Sequence, residues 1–241
     1  MDSSPATNQE PDDAGLEIEI SLTPGAELPE GEDPALRAGQ ELLPLGRPPR
    51  ERSLVLGFSC LKQILAHGQR HPETEVAGVL LGDQWQCAGG PVCDLTEAHA
   101  ATKTEAGLGH VTFSHETWQE IYTYLEQEAP DLRIVGWYHT HPGFGAFFSE
   151  QDRFIQRNFF TGAGQLGIVV DPQREQVAVF ECQGAEVVEV PGLWISAPLA
   201  SVRAARQLLN RLTFVGPQPA QPGLVHRLAE ALGLEREGRT T

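Results

Sequence analysis

The 241-residue chain has no apolar run approaching the roughly 20 residues that a membrane-crossing helix needs, so no membrane attachment is expected. Its opening stretch, Met1 to Asp13, holds neither a basic nor an apolar segment, which leaves no secretory leader to expect. Cysteine is sparse. Cys60, Cys87, Cys93 and Cys182 form no C-x-x-C pair and are too few for a disulfide framework in a chain this long. They read as reduced thiols of a cytoplasmic protein, with Cys87 and Cys93 near strand ends. Positive charge is also short: 33 acidic residues against 17 basic ones give a net charge of −16. Such a chain repels a phosphate backbone, which argues against general nucleic-acid binding.

What is present divides into three parts. Residues 1–50 carry 11 acidic and 3 basic residues and recurrent proline and glycine. A segment of this kind buries too little apolar surface to offset its ordering entropy and is expected to be a disordered tail. Within it, Leu16–Leu22 alternates apolar and polar residues, a strand pattern suited to a sheet edge on a partner or over the protein's own groove. Residues 51–195 read as one α/β domain, a mixed sheet flanked by helices. Strands are expected at Ser53–Leu56, Val76–Leu81, Ile134–His141, Gly167–Asp171 and Gln176–Cys182, with two or three more short ones between 83 and 112. Gly82-Asp83 reads as the turn that closes the Val76–Leu81 strand. Helical spacing covers Phe58–Gly68, His115–Glu128 behind a capping Ser114, and Ser149–Phe160. Residues 196–241 hold six arginines and three glutamates and are expected to add two amphipathic helices, Leu199–Leu212 and Leu224–Leu234.

The informative stretch runs from Gly136 to Asp152, Gly-Trp-Tyr-His-Thr-His-Pro-Gly-Phe-Gly-Ala-Phe-Phe-Ser-Glu-Gln-Asp. His139 and His141 lie two apart on an expected strand, so alternation puts both imidazoles on one face and Thr140 on the other. Two nitrogens so placed can reach one ion. Asp152, one helical turn after Ser149, can turn back as a third ligand. Two imidazoles and one carboxylate with a fourth position open is a catalytic zinc pattern rather than a closed structural one. The pair Ser149-x-x-Asp152 alone reads as a helix-capping arrangement; the joint spacing His-x-His, seven residues, Ser-x-x-Asp is far more restrictive.

This joint pattern resembles the JAMM (MPN+) metalloprotease family, and Gly-Trp-Tyr-His-Thr-His-Pro-Gly-Phe-Gly is similar to the proteasome-lid and signalosome isopeptidases. The resemblance covers roughly residues 53–190 and extends to Val169-Val-Asp-Pro172. It implies a single MPN domain of cytidine-deaminase-like fold, Zn2+ held by His139, His141 and Asp152, and Ser149 as oxyanion donor. It also implies an upstream glutamate in an E-x-x-G setting as general base. Glu75-Val-Ala-Gly78 fits; Glu73 is the rival but lacks the glycine three residues on. Family substrates are conjugates made through the C-terminal Gly-Gly of ubiquitin or a ubiquitin-like protein. Residues 98–112 occupy the place of the family's first insertion, bordering the groove for that tail. No large second insertion follows Asp152, so linkage preference is left open. Phe144, Phe147 and Phe148 lie between the ligands, some to pack inward and one to face substrate. Lys62 and Lys103 stand against fifteen arginines, a bias that fits a bacterial member whose partners include conjugating enzymes of E1 and E2 type encoded nearby.

Other readings are weaker. A non-catalytic MPN scaffold predicts the loss of a ligand or of the glutamate, and every position is filled. Processing of a sulfur-carrier-type ubiquitin-like protein uses the same chemistry and stays open beside deubiquitination. A nucleobase deaminase needs H-x-E with P-C-x-x-C; His71-Pro-Glu73 matches the first half, and the second half does not occur. The H-E-x-x-H of another zinc-protease class is absent.

Overall fold

The computed structural model describes residues 28–50, 53–101, 104–107, 110–162 and 164–217. In chain order the strands and helices are β1 (Gln40–Gly46), β2 (Ser53–Gly57), α1 (Phe58–Arg70), β3 (Ala77–Cys87), β4 (Gly90–Ala100), β5 (Thr104–Gly107), β6 (His110–Phe113), α2 (His115–Gln127), β7 (Arg133–Thr140), α3 (Glu150–Phe159), β8 (Leu166–Asp171), β9 (Gln176–Gln183), β10 (Glu186–Glu189), β11 (Gly192–Pro198), α4 (Val202–Leu209) and β12 (Thr213–Val215). Ten of the strands form one mixed sheet in the order β1-β11-β2-β4-β3-β7-β8-β9-β10, with β12 alongside β9, while β5 and β6 pair with each other.

The sheet is covered on both faces, which is why its central strands read as near-continuous apolar runs. One face packs Leu61, Ile64 and Leu65 of α1 and Ala205 of α4 against Leu80, Leu95, Ile168, Val170, Val179 and Ile195. The other packs Trp118 and Ile121 of α2 and Ile155 of α3 against Val79, Leu81, Trp137, Val169 and Phe180. Residues 168–170 alternate between these clusters, as a pleated strand requires. The expected α/β domain with a mixed sheet and flanking helices is what the chain forms. α2 begins where expected, the Ser114 hydroxyl accepting from the Thr117 amide at 3.2 Å.

Three expectations are corrected. Gly82-Asp83 is not a turn: β3 runs on to Cys87, and the register shifts at Leu81/Gly82. The pair marks a β-bulge, where a side chain at Gly82 would lie 1.8 Å from the Asp94 carbonyl oxygen. Second, residues 28–50 are not all tail. The Gln86 carbonyl accepts from the Gly31 amide and the Gln86 amide donates to the Pro29 carbonyl, both at 2.8 Å, the Trp85 indole donates to the Glu32 carbonyl, and Arg37 pairs with buried Asp94 at 2.7 Å. β1 then adds antiparallel to β11 over seven residues. Pro44 disguised it in the sequence; on an edge strand the missing N–H is tolerated, and Leu43 and Leu45 on either side are buried. Third, the domain does not end at 195. Ser196 lies in β11, the expected helix from Leu199 is a short 3-10 turn followed by α4, and β12 returns to pair parallel with β9. The Leu16–Leu22 and Leu224–Leu234 patterns lie outside the described residues.

β1 supplies a stability prediction. Leu45→Ala in the full chain should cost about 2–5 kcal/mol, the usual range for a buried leucine. At roughly 2–4 °C per kcal/mol for a domain of this size, that is a fall in Tm of about 4–20 °C. Leu36→Ala, at a position 71% exposed, should leave Tm unchanged. Equal thermal melts for the two variants would restore the reading of residues 28–50 as a passive tail.

Candidate metal centre

β7 lies inside the sheet, and its end carries the site. His139 is in register with Ala77 on β3 and with Val169 on β8. The strand stops because Pro142 has no amide to donate; the last ladder bond runs from the His141 amide to the Val170 carbonyl at 2.9 Å. The ring of His139 is stacked on Trp137, centroids 4.7 Å apart and planes within 10°, with Phe148 5.8 Å away on its flank. The Trp137 indole is itself fixed by donating to Gln156 of α3 at 2.8 Å. His141 points its Nδ1 at the Gly145 carbonyl, 3.2 Å away. A carbonyl only accepts, so Nδ1 carries the proton and Nε2 presents a lone pair to the site.

Asp152 arrives from α3. Ser149 is its N-cap: the Ser149 hydroxyl accepts from the Asp152 amide, and Asp152 Oδ2 accepts from the Ser149 amide at 2.7 Å and from the Ser149 hydroxyl at 2.6 Å. This capping box saturates Oδ2 and leaves Oδ1 facing His139 Nε2 at 3.2 Å. The pattern that reads as a helix cap thus also aims a carboxylate oxygen at His139.

The three side chains are buried, and their ligand atoms lie within 4.8 Å of one another. His139 Nε2 and His141 Nε2 are 3.1 Å apart, and His141 Nε2 is 3.8 Å from Asp152 Oδ2. These separations bracket the edge of about 3.3–3.4 Å in a tetrahedron with bonds of about 2.0–2.1 Å. Burial, then the neighbouring His139, pushes the His141 pKa down to about 4, so the ring is neutral at pH 7. Burial alone would raise the Asp152 carboxyl, but bonds to His139 and Ser149 prevail and hold it at about 2. A neutral imidazole lone pair and an ionised carboxylate, converging in a buried place, are donors that suit a divalent cation. His139 Nδ1 is buried without a hydrogen-bond partner, so stacking fixes that ring instead of the polar contact usual for a ligating histidine.

Glu75 stands just before β3, mostly buried, with Oε1 3.9 Å from His141 Nε2; Glu73 is exposed. Two bonds hold the Glu75 segment there: Thr140 N to the Val76 carbonyl at 2.9 Å and Val76 N to the Thr140 hydroxyl at 3.1 Å. Alternation put Thr140 on the far face and gave it no task; its hydroxyl turns out to tie down the segment before β3 that carries Glu75. The glycine of the E-x-x-G setting has a steric reason, since a side chain at Gly78 would come within 2.3 Å of the His99 carbonyl oxygen. Of the three phenylalanines, Phe148 is buried, whereas Phe144 and Phe147 are 70% and 47% exposed at the mouth, the Phe147 ring 4.8 Å from that of His141. Sequence reasoning also missed Asp171, buried beneath the loop that follows His141. It accepts the Gly143 and Gly145 amides at 3.0 and 2.7 Å. The signal available was the stretch Val169-Val-Asp-Pro172.

Residues 52–161 match the family model described as "JAB1/Mov34/MPN/PAD-1 ubiquitin protease". The chain carries a JAB/MPN domain. Among curated relatives, "Ubiquitin carboxyl-terminal hydrolase RPN11" of Saccharomyces cerevisiae is 27% identical over 128 residues, 53% of this chain and 41% of that protein. "COP9 signalosome complex subunit 5" of Candida glabrata is 32% identical over 133 residues, 52% of this chain and 28% of that one. "NAD(+) hydrolase TcpA" of a Theionarchaea archaeon is 34% identical over 101 residues, 42% of this chain and 28% of that one. The chain thus spans less than half the length of each of these three relatives. No helix among the described residues is long and apolar enough to cross a membrane.

Proposed function

We propose that this JAB/MPN protein is a zinc-dependent isopeptidase that cuts after the C-terminal Gly-Gly of ubiquitin or a ubiquitin-like protein, in deconjugation or precursor processing. The observation that carries the reading is the convergence of His139, His141 and Asp152 with Glu75 beside them. His139, His141 and Asp152 would hold zinc, which would supply a Lewis acid and lower the pKa of a water from about 15.7 toward about 7. Glu75 takes the proton of the attacking water and delivers it to the leaving amine. The Ser149 hydroxyl donates to Asp152 Oδ2 in this structure. To serve the oxyanion it rotates away, and the Ser149 amide, already on Oδ2, keeps the carboxylate aimed.

The tail reaches the site as an extended strand. The β5–β6 hairpin springs from the sheet end that carries His139: Ala101 donates to the Ala77 carbonyl at 2.9 Å, and Ala77 is in register with His139. In this reading a hairpin edge borders the groove. Conjugating enzymes of E1 and E2 type are the expected functional neighbours, and the cytoplasm the expected compartment. A sulfur-carrier-type ubiquitin-like protein is a substrate of the same chemistry.

The test is incubation with ubiquitin-like proteins fused or isopeptide-linked through Gly-Gly. Cleavage after the second glycine is expected, lost with chelator and restored by zinc. Intact substrates across a panel of such proteins, with zinc loaded, would overturn the reading.

A further inference from the structure

We propose that Asp171 is the positioning residue that decides which nitrogen of His141 faces the metal centre, acting through the carbonyl of Gly145. The inference rests on the reading of His141 as a ligand given above.

Asp171 ends β8 and is fully buried. Its carboxylate accepts four backbone amides. Oδ1 takes Gly143 at 3.0 Å, Gln173 at 2.9 Å and Arg174 at 3.0 Å; Oδ2 takes Gly145 at 2.7 Å. Burial would raise its pKa, but these four donors outweigh that and lower it. One side chain therefore fastens two separate pieces of backbone, the loop after His141 and the turn after β8.

The loop is shaped to meet it. Gly143 and Gly145 have φ of +81° and +94°, a region that L side chains rarely adopt. The two turns bring amides two residues apart onto one carboxylate. With its amide fixed to Asp171, Gly145 turns its own carbonyl to His141 Nδ1, 3.2 Å away. That acceptor holds the imidazole proton on Nδ1 and leaves the Nε2 lone pair toward His139 and Asp152. A neutral imidazole with its proton on Nε2 cannot bind an ion through that atom. His139 has no such relay, its ring being held by Trp137.

Asp171→Asn is nearly isosteric but has one accepting oxygen. Its amide group, a donor, must face either the Gly145 amide or the three amides on the other side, a donor against a donor. The loop then turns and its carbonyl leaves His141. The one other tie on that peptide unit, the Ala146 amide on Gln176, is the longer bond at 3.3 Å and does not hold it alone.

The experiment uses the full chain, wild type and Asp171→Asn, stripped of metal by chelator. Long-range 15N–1H correlation spectra at pH 7.5 read the histidine tautomers, and chelator competition reads zinc affinity. Wild-type His141 should carry its proton on Nδ1. In Asp171→Asn it should become mixed or carry it on Nε2, with His139 unchanged, and zinc affinity should fall about 10–100-fold, the usual cost of losing a partner behind a ligand. A wild-type His141 protonated on Nε2, or an Asp171→Asn spectrum with His141 unchanged, would overturn the proposal even if zinc binding weakens. Should Asp171→Asn fail to fold, Gly145→Ala moves the same carbonyl by forcing a side chain onto φ +94° and must give the same tautomer shift; its absence also overturns the proposal. A tautomer shift in a protein whose wild type binds no zinc would sink the zinc reading and leave the relay from Asp171 to His141 standing.

Discussion

Glu75→Gln is expected to keep one equivalent of zinc and the wild-type fold while losing two or more orders of magnitude in kcat. General-base catalysis contributes about 10²–10⁴-fold, and glutamine fills the same space with no site for the proton. Zinc should stay because Glu75 is outside the convergent set of His139, His141 and Asp152. KM should be nearly unchanged, since the lost interaction belongs to the transition state alone. The comparison variant is Glu73→Gln, which alters an exposed residue two positions upstream and should turn over near the wild-type rate. Steady-state kinetics on a Gly-Gly-linked substrate, with metal content measured on the same samples, decide the matter. If Glu73→Gln is inactive and Glu75→Gln is not, the base has been assigned to the wrong residue.

The site was more legible in the sequence than the fold around it, for a physical reason. Metal ligation requires particular residue types at particular spacings, and His139, His141, Ser149 and Asp152 lie within fourteen residues of one strand, loop and helix. Their placement depends on local geometry, namely strand alternation and a capping box. Glu75 is far in sequence, and only the glycine three residues on set it apart from Glu73; the pairing of Val76 with Thr140 holds its segment beside the histidines. Asp171 stood out in the sequence only as part of Val169-Val-Asp-Pro172, with no role attached, because its task is to bind backbone amides, which leave no side-chain pattern. On the fold, α1, α2 and the buried strands followed from periodicity, since each buries a stripe or a face. β1 did not, because Pro44 and the acidic residues around it carry the composition of a tail, and only pairing with β11 buries Leu43 and Leu45. β12 has three residues, too few for alternation to register. Gly82-Asp83 carries a turn signal, but the sheet partners on both sides carried the strand through it as a bulge.

Removing the ligands should have the largest effect. The double variant His139→Ala, His141→Ala is expected to hold no zinc and to cleave no faster than background, because Asp152 alone offers one oxygen to the ion. Elemental analysis of protein purified without chelator should give about one equivalent for wild type. Activity loss alone would not prove ligation, because His139 is packed between Trp137 and Phe148 and its truncation opens a cavity. Thermal melts with and without chelator separate the two effects. An ion that binds only the folded chain stabilises it by RT ln(1 + [L]/Kd), about 4.1 kcal/mol at a thousand times Kd. Chelator should therefore lower the Tm of wild type and leave that of the double variant where it was, whatever its starting value. Asp152→Asn is the milder companion: asparagine still accepts from the Ser149 amide, so the α3 cap persists while the anionic ligand is gone. It should melt near metal-free wild type and bind zinc far more weakly. A double variant that keeps a full equivalent of zinc, or that shows the same chelator-dependent drop in Tm as wild type, would place the metal elsewhere and remove the basis for the isopeptidase reading.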